Sequence, residues 1–221
     1  MHNLSISEEN HIKEIYHLQQ QSGIAGTSRL ALQLNTKPAS VTDMLKKLEG
    51  KKMLQYERYK GFRLTEPGNK KALAIIRRHR LWEFFLSTKL GFEWDKIHEI
   101  AEQLEHIQSP ELVDRLDDFL GNPVIDPHGD PIPGRNGKLP IIKQISLAEA
   151  KTGISLVVSA VQNPTSAMME ILTHYHISIG TKLKIIRKFA FDHSAEIKLS
   201  QQNSCILSNS VAQNIFVYDG K

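Results

Sequence analysis

The chain has 221 residues, 40% hydrophobic and 24% charged, a balance that excludes wholesale disorder. No apolar run approaches the ~20 residues of a bilayer span, and the polar opening MHNLSISEEN is not a secretory signal, so a cytoplasmic protein with no membrane partner is expected. The net charge of +4 hides a basic block over 1–80 (15 Lys+Arg, 7 Asp+Glu) and an acidic one over 81–130 (3 against 12), which points to one polyanion-facing and one cation-facing task.

Residues 5–20 open with Ser5 and Glu8 at capping-box spacing, and Ile12, Ile15 and Tyr16 recur at helical intervals. Gly23 and Gly26 break this helix, and 28–34 form a short second one. After the turn Asn35-Thr36-Lys37, Pro38 opens a third helix over 38–49, with Val41, Met44, Leu45 and Leu48 inward. Its other face presents Lys37, Ser40, Thr42, Asp43, Lys46 and Lys47; small residues at its start, Pro38 and Ala39 among them, allow close approach to base edges. Residues 54–65 alternate apolar and polar around Lys60-Gly61, a hairpin with a basic tip carrying Arg58, Lys60 and Arg63. Helix, short helix, turn, basic helix and basic hairpin in that order describe a winged helix-turn-helix that contacts double-stranded DNA.

A long helical pattern then runs to about Leu90, a second covers roughly 95–108, and a third starts at Ser109-Pro110 and runs to Leu120. These three apolar-rich helices, too short to bury all of that surface alone, suggest a dimer-forming unit. Residues 121–144 hold five of the nine prolines and read as a linker. Beyond them, short β patterns and one helix near 165–175 read as a small β-barrel-like domain, in which the single cysteine, Cys205, is a small apolar residue.

The stretch HEIAEQLEH carries the sharpest chemistry. At about 100° per residue, His98, Glu102, Glu105 and His106 share an arc of about 100° on one helix face. His79 and Glu83 sit four apart on the preceding helix and can chelate together. Carboxylates this crowded repel one another unless a cation neutralises them, so the spacing points to a divalent metal, against the alternative of a solvated acidic face.

The segments SEENHIKEIYHL, SVTDMLKKLEGKKML, RRHRLWEFF, HEIAEQLEHIQSPELVDRLDDFL and DPHGDPIPG together resemble the diphtheria toxin repressor and manganese transport regulator family of metal-dependent repressors over nearly the whole length. The resemblance implies a mostly α fold with a small β domain. Its parts are a winged helix over 1–72, a helical metal-binding and dimerisation domain over 73–140 including the Pro/Gly-rich linker, and an SH3-like, FeoA-like domain over 141–221. It also implies one metal site from His79, Glu83 and His98, and another from Asn10, Glu102, Glu105 and His106. The expected cofactor is Mn²⁺ or Fe²⁺, and the expected partner of the homodimer is a palindromic operator.

Three positions depart from the family pattern. Asn10 stands where relatives place methionine or aspartate. Lys13 stands where manganese-type members place a ligating glutamate, and a fixed cation there argues against a two-metal cluster. Glu102 replaces the cysteine of iron-type members, and harder oxygen donors favour Mn²⁺. The stretch near Thr165 to Met168 offers no Glu or Gln at the family's places, so the C-terminal ligands of iron-type members are not carried over to this chain. The resulting expectation is a non-enzymatic repressor with metal as corepressor; the rivals are a metal-independent winged-helix regulator and a metallohydrolase.

Overall fold

A computed structural model describes residues 4–22, 26–57, 61–92, 94–162, 165–199 and 204–220. The chain divides into two compact units, Met1–Asn122 with Pro133–Leu139, and Pro123–Ile132 with Pro140–Lys221.

The first unit begins with α1 (Ile6–Ser22), α2 (Thr27–Gln33) and α3 (Pro38–Gly50). The capping box forms as its spacing predicts: the Ser5 amide donates to Glu8 Oε2 at 2.7 Å and the Glu8 amide to Ser5 Oγ at 3.3 Å. Strands β1 (Leu54–Glu57) and β2 (Gly61–Leu64) pair antiparallel, Leu54 opposite Leu64 and Glu57 opposite Gly61, and form the wing. Ile12, Ile15, Leu18, Val41, Leu45, Leu48, Leu54 and Ile75 meet in one apolar core. Met44, expected inward, is half-buried.

Helix α4 (Glu66–Thr88) follows the wing without a spacer. Thr65 caps it by accepting from the Gly68 amide, and its hydroxyl also lies 2.8 Å from the Lys52 carbonyl. The approach is so close that a Cβ on Gly68 would fall 1.9 Å from the Met53 carbonyl oxygen. Helices α5 (Trp94–Leu104) and α6 (Pro110–Phe119) complete the unit, α6 capped by Ser109 through the Leu112 amide. Helix α5 stops four residues before the sequence pattern suggests. The Ile107 amide turns back to the Leu104 carbonyl, so Glu105 and His106 lie in a turn rather than on the predicted helix face. Residues 133–139 belong to this unit, with buried Arg77 donating to the Pro133 carbonyl at 2.8 Å and to Asp117 at 2.7 Å.

The second unit is a six-stranded antiparallel sheet in the order β3-β8-β4-β5-β6-β7. Its strands are β3 (Ile145–Ser146), β4 (Ser155–Val161), β5 (Lys182–Lys188), β6 (Ala195–Leu199), β7 (Ser204–Leu207) and β8 (Ile215–Asp219), with helices α7 (Ser166–His174) and α8 (Asn209–Asn214). Register shifts at Val158/Ala160 and Ile185/Arg187 bend the sheet over a core of Leu156, Val158, Leu172, Ile185, Ile197, Ile215 and Val217. Cys205 lies half-buried in β7, and burial pushes its thiol pKa up.

The expected linker is not featureless. Ile125 bridges Pro131, and the buried Asp126 carboxylate accepts backbone N–H bonds from His128 at 2.8 Å and Asp130 at 2.9 Å. Aspartate supplies the turn that proline and glycine composition alone reads as a flexible spacer.

Candidate metal centre

Three expected ligands converge between α4 and α5. His79 Nε2, Glu83 Oε1 and His98 Nδ1 lie 2.9, 3.1 and 3.2 Å from one another. Residues 79 and 83 are one helical turn apart on α4, and α5 packs along that turn and brings His98 across. These three residues form a group whose donor atoms all lie within 4.8 Å, two imidazoles and a carboxylate, a donor set that fits a first-row divalent ion. Glu83 is buried at 2% exposure, whereas His98 is 62% exposed, so the group opens to solvent on the α5 side.

His79 is also gripped from its other nitrogen. Nδ1 donates to Glu105 Oε2 at 2.7 Å. Burial works against a charged imidazole here, but hydrogen bonds to Glu105 and Glu83 outweigh it and raise the His79 pKa to about 9. Burial works equally against the Glu105 charge, yet His79 and Lys13 hold its pKa below the ordinary carboxylate value.

The second expected set is arranged differently. Glu102 reaches outward to His98 Nε2 at 3.6 Å and Lys13 Nζ at 3.5 Å. His106 Nε2 lies 3.8 Å from Glu105 Oε1, while its Nδ1 donates to Glu9 Oε2 at 2.7 Å. Asn10 is half-buried on α1 and makes no side-chain hydrogen bond among the described residues. In the middle stands Lys13, whose Nζ lies 2.7 Å from Glu105 Oε1 and 2.9 Å from Oε2.

Two residues that the sequence reading passed over belong to this cluster. Glu9, 1% exposed, accepts from His106 and, at 3.1 Å, from Arg78; the Arg78 Nε in turn donates to the Glu105 carbonyl. In sequence, Glu9 looks like an acid complementing the start of α1, and only the packed helices reveal its partners.

In the winged helix, Lys37, Pro38, Ala39, Ser40, Asp43, Lys46 and Lys47 are all exposed on and before α3. Thr42 is half-buried and its hydroxyl donates to the Pro38 carbonyl, turning it toward its own helix. Lys47 lies 3.3 Å from buried Glu8, which Lys51 approaches at 2.6 Å. Arg63 is exposed on β2, 3.7 Å from Glu57; Arg58 and Lys60 lie outside the described residues.

Residues 3–62 match the iron dependent repressor N-terminal DNA binding domain, 65–134 the iron dependent repressor metal binding and dimerisation domain, and 145–219 the FeoA domain. The chain is 38% identical over 114 residues to the HTH-type transcriptional regulator MntR of Oceanobacillus iheyensis, covering 52% of this chain and 77% of that protein. It is 31% identical over 134 residues to the iron-dependent repressor IdeR of Mycobacterium tuberculosis, covering 61% of this chain. The match spans 58% of the IdeR length. Among solved structures, a manganese-dependent transcriptional repressor in complex with manganese matches at 29% identity and TM-score 0.60, covering 96% of this chain and 99% of that one. ScaR with bound Zn²⁺ matches at 30% identity and TM-score 0.57, with the same coverage.

Proposed function

Because the chain belongs to the diphtheria toxin repressor and manganese transport regulator family, we propose that it is a metal-dependent, DNA-binding transcriptional repressor of metal-ion homeostasis, with Mn²⁺ or Fe²⁺ as corepressor. The single observation that carries this reading is the triangle of His79, Glu83 and His98 donors on the helices that follow a winged helix-turn-helix. A divalent ion there would be held by the His79 and His98 imidazoles and the Glu83 carboxylate, and would supply positive charge shared between α4 and α5.

The chain's own residues do the rest. Glu105 holds His79 Nδ1–H and so leaves Nε2 directed at Glu83 and His98, the orienting role a carboxylate plays behind a ligating histidine. Glu102, Glu105, His106 and Asn10 are the remaining donors proposed from the family pattern. Glu9 joins α1 to the turn after α5, so the posture of the DNA-binding helices follows the packing around the ligands. The exposed face of α3 enters a major groove, where Asp43 reads bases, Lys37, Lys46 and Lys47 meet phosphates, and the wing's Arg63 lies along the backbone.

A homodimer on a palindromic operator matches this geometry, because two copies related by a twofold axis present two recognition helices to successive grooves. Leu90 at 55% exposure and Phe119 at 66% give the first unit apolar surface for self-association. Among the described residues, no helix is long and apolar enough to cross a membrane. Operator affinity measured with Mn²⁺, Fe²⁺, Zn²⁺ and with chelator tests the reading. It predicts strong binding only with metal; equal affinity with and without chelator supports the metal-independent regulator instead.

A further inference from the structure

We propose that Lys13 is a resident cation that takes the place of a divalent ion at Glu102 and Glu105, so that each chain loads one ion, at His79, Glu83 and His98. This rests on the metal-dependent reading above and changes the role of Glu105 from ligand to positioning residue.

Three observations carry it. First, the Lys13 ammonium contacts both oxygens of Glu105, at 2.7 and 2.9 Å, and lies 3.5 Å from Glu102. Second, the contact is interior: the Glu105 side chain is 0% exposed and that of Lys13 only 12%. An ion bound to Glu105 would share its oxygens with an ammonium already at contact distance, in surroundings where little water screens the repulsion. Third, Glu105 Oε1 is buried without a partner of good hydrogen-bond geometry, so the nearby lysine charge, and not a hydrogen-bond network, compensates it.

The arrangement has a direction. Lys13 pins Glu105 from the α1 side, and Glu105 Oε2 holds His79 Nδ1–H, which presents Nε2 to Glu83 and His98. A lysine on the first helix thereby orients a ligand on α4, through a carboxylate from the turn after α5. The ammonium contacts Glu105 and Glu102, whereas the His79, Glu83 and His98 donors, within 4.8 Å of one another, are a separate set of atoms.

Counting bound Mn²⁺ per chain in the full-length protein tests this, by equilibrium titration with the free ion read by electron paramagnetic resonance. Wild type, Lys13→Met, Lys13→Gln and the charge-retaining Lys13→Arg are compared, with circular dichroism confirming folding; two neutral variants guard against the loss of either one. The expected counts are one for wild type and Lys13→Arg, and two for the neutral variants. One ion in all four, or two in wild type, overturns the proposal while leaving metal dependence standing. None in wild type but one in the neutral variants overturns the proposal, because the His79, Glu83 and His98 site is then not loaded. None in any folded variant overturns both.

Discussion

His106 Nδ1 lies 2.7 Å from Glu9 Oε2, joining a turn after α5 to the first turn of α1 across 97 positions of sequence. Glu9 is 1% exposed and also receives Arg78 at 3.1 Å, so one carboxylate neutralises a guanidinium and fixes an imidazole. Replacing it strands a buried cation. Glu9→Gln is expected to destabilise the fold by about 3 kcal/mol, measured by urea denaturation, because breaking a buried ion pair from one side leaves the other charge uncompensated.

The ligand triangle gives the second prediction. Glu83→Gln keeps size and shape but removes the charge that His79 and His98 share. Mn²⁺ affinity should fall at least tenfold by isothermal titration, and metal-dependent operator binding should fall with it, while the far-ultraviolet circular dichroism is unchanged. A variant that binds Mn²⁺ as tightly as wild type would remove Glu83 from the ligand set.

On the DNA side, Lys46 and Asp43 are both exposed on α3 but are given different tasks. Lys46→Ala should weaken operator and unrelated duplexes alike and reduce the salt slope by about 1. Asp43→Ala should leave that slope unchanged and relax base preference by about 1–3 kcal/mol at one position of the site. Fluorescence anisotropy across a salt series separates the two.

The α1–α3 junction should be acid-sensitive. Burial disfavours the Glu8 charge, but the Lys51 and Lys47 ammonium groups and the Ser5 amide overcome it and hold the pKa at about 2 against an ordinary 4.5. A carboxylate with a depressed folded pKa adds stability that is complete above the ordinary value and is lost as pH falls through the folded one. At most about 3 kcal/mol should therefore disappear between roughly pH 4.5 and 2. Glu8→Gln should flatten this part of the stability–pH curve, read by thermal melts.

Gly68 supplies a steric test. A methyl group there would meet the Met53 carbonyl at 1.9 Å, and that oxygen already accepts from the Thr65 amide at 3.0 Å and hydroxyl at 3.1 Å. Helix propensity favours alanine over glycine by about 1 kcal/mol, yet Gly68→Ala should destabilise, by about 1–3 kcal/mol, because the backbone must part. A stabilised variant in chemical denaturation would show that the wing and α4 are less tightly joined.

Elements with a strong period or a specific cap are legible in the sequence: Ser5 with Glu8, Pro38, Thr65 and Ser109 mark helix starts that the structure keeps. Three features are not. The end of α5 is misread because Leu104, Glu105 and His106 continue a helical pattern, while the Lys13, His79 and Glu9 contacts that accompany the turn come from distant segments. Strand β3, with two residues, and α8, with six, are too short to display a period. The family pattern flags Lys13 as a departure, but its grip on Glu105 spans 92 positions, and no local spacing encodes it.

The crossing of the chain between its two units has a practical result for anyone wishing to dissect it. A stop codon after residue 139 would retain 123–132 while deleting the rest of the unit that segment helps build. The residual peptide would carry Ile125, Ile132 and Asp126, at 4%, 2% and 1% exposure in the intact protein, into an altered environment. No single cut yields both pieces whole; a clean excision requires grafting 133–139 onto Asn122 through a new junction.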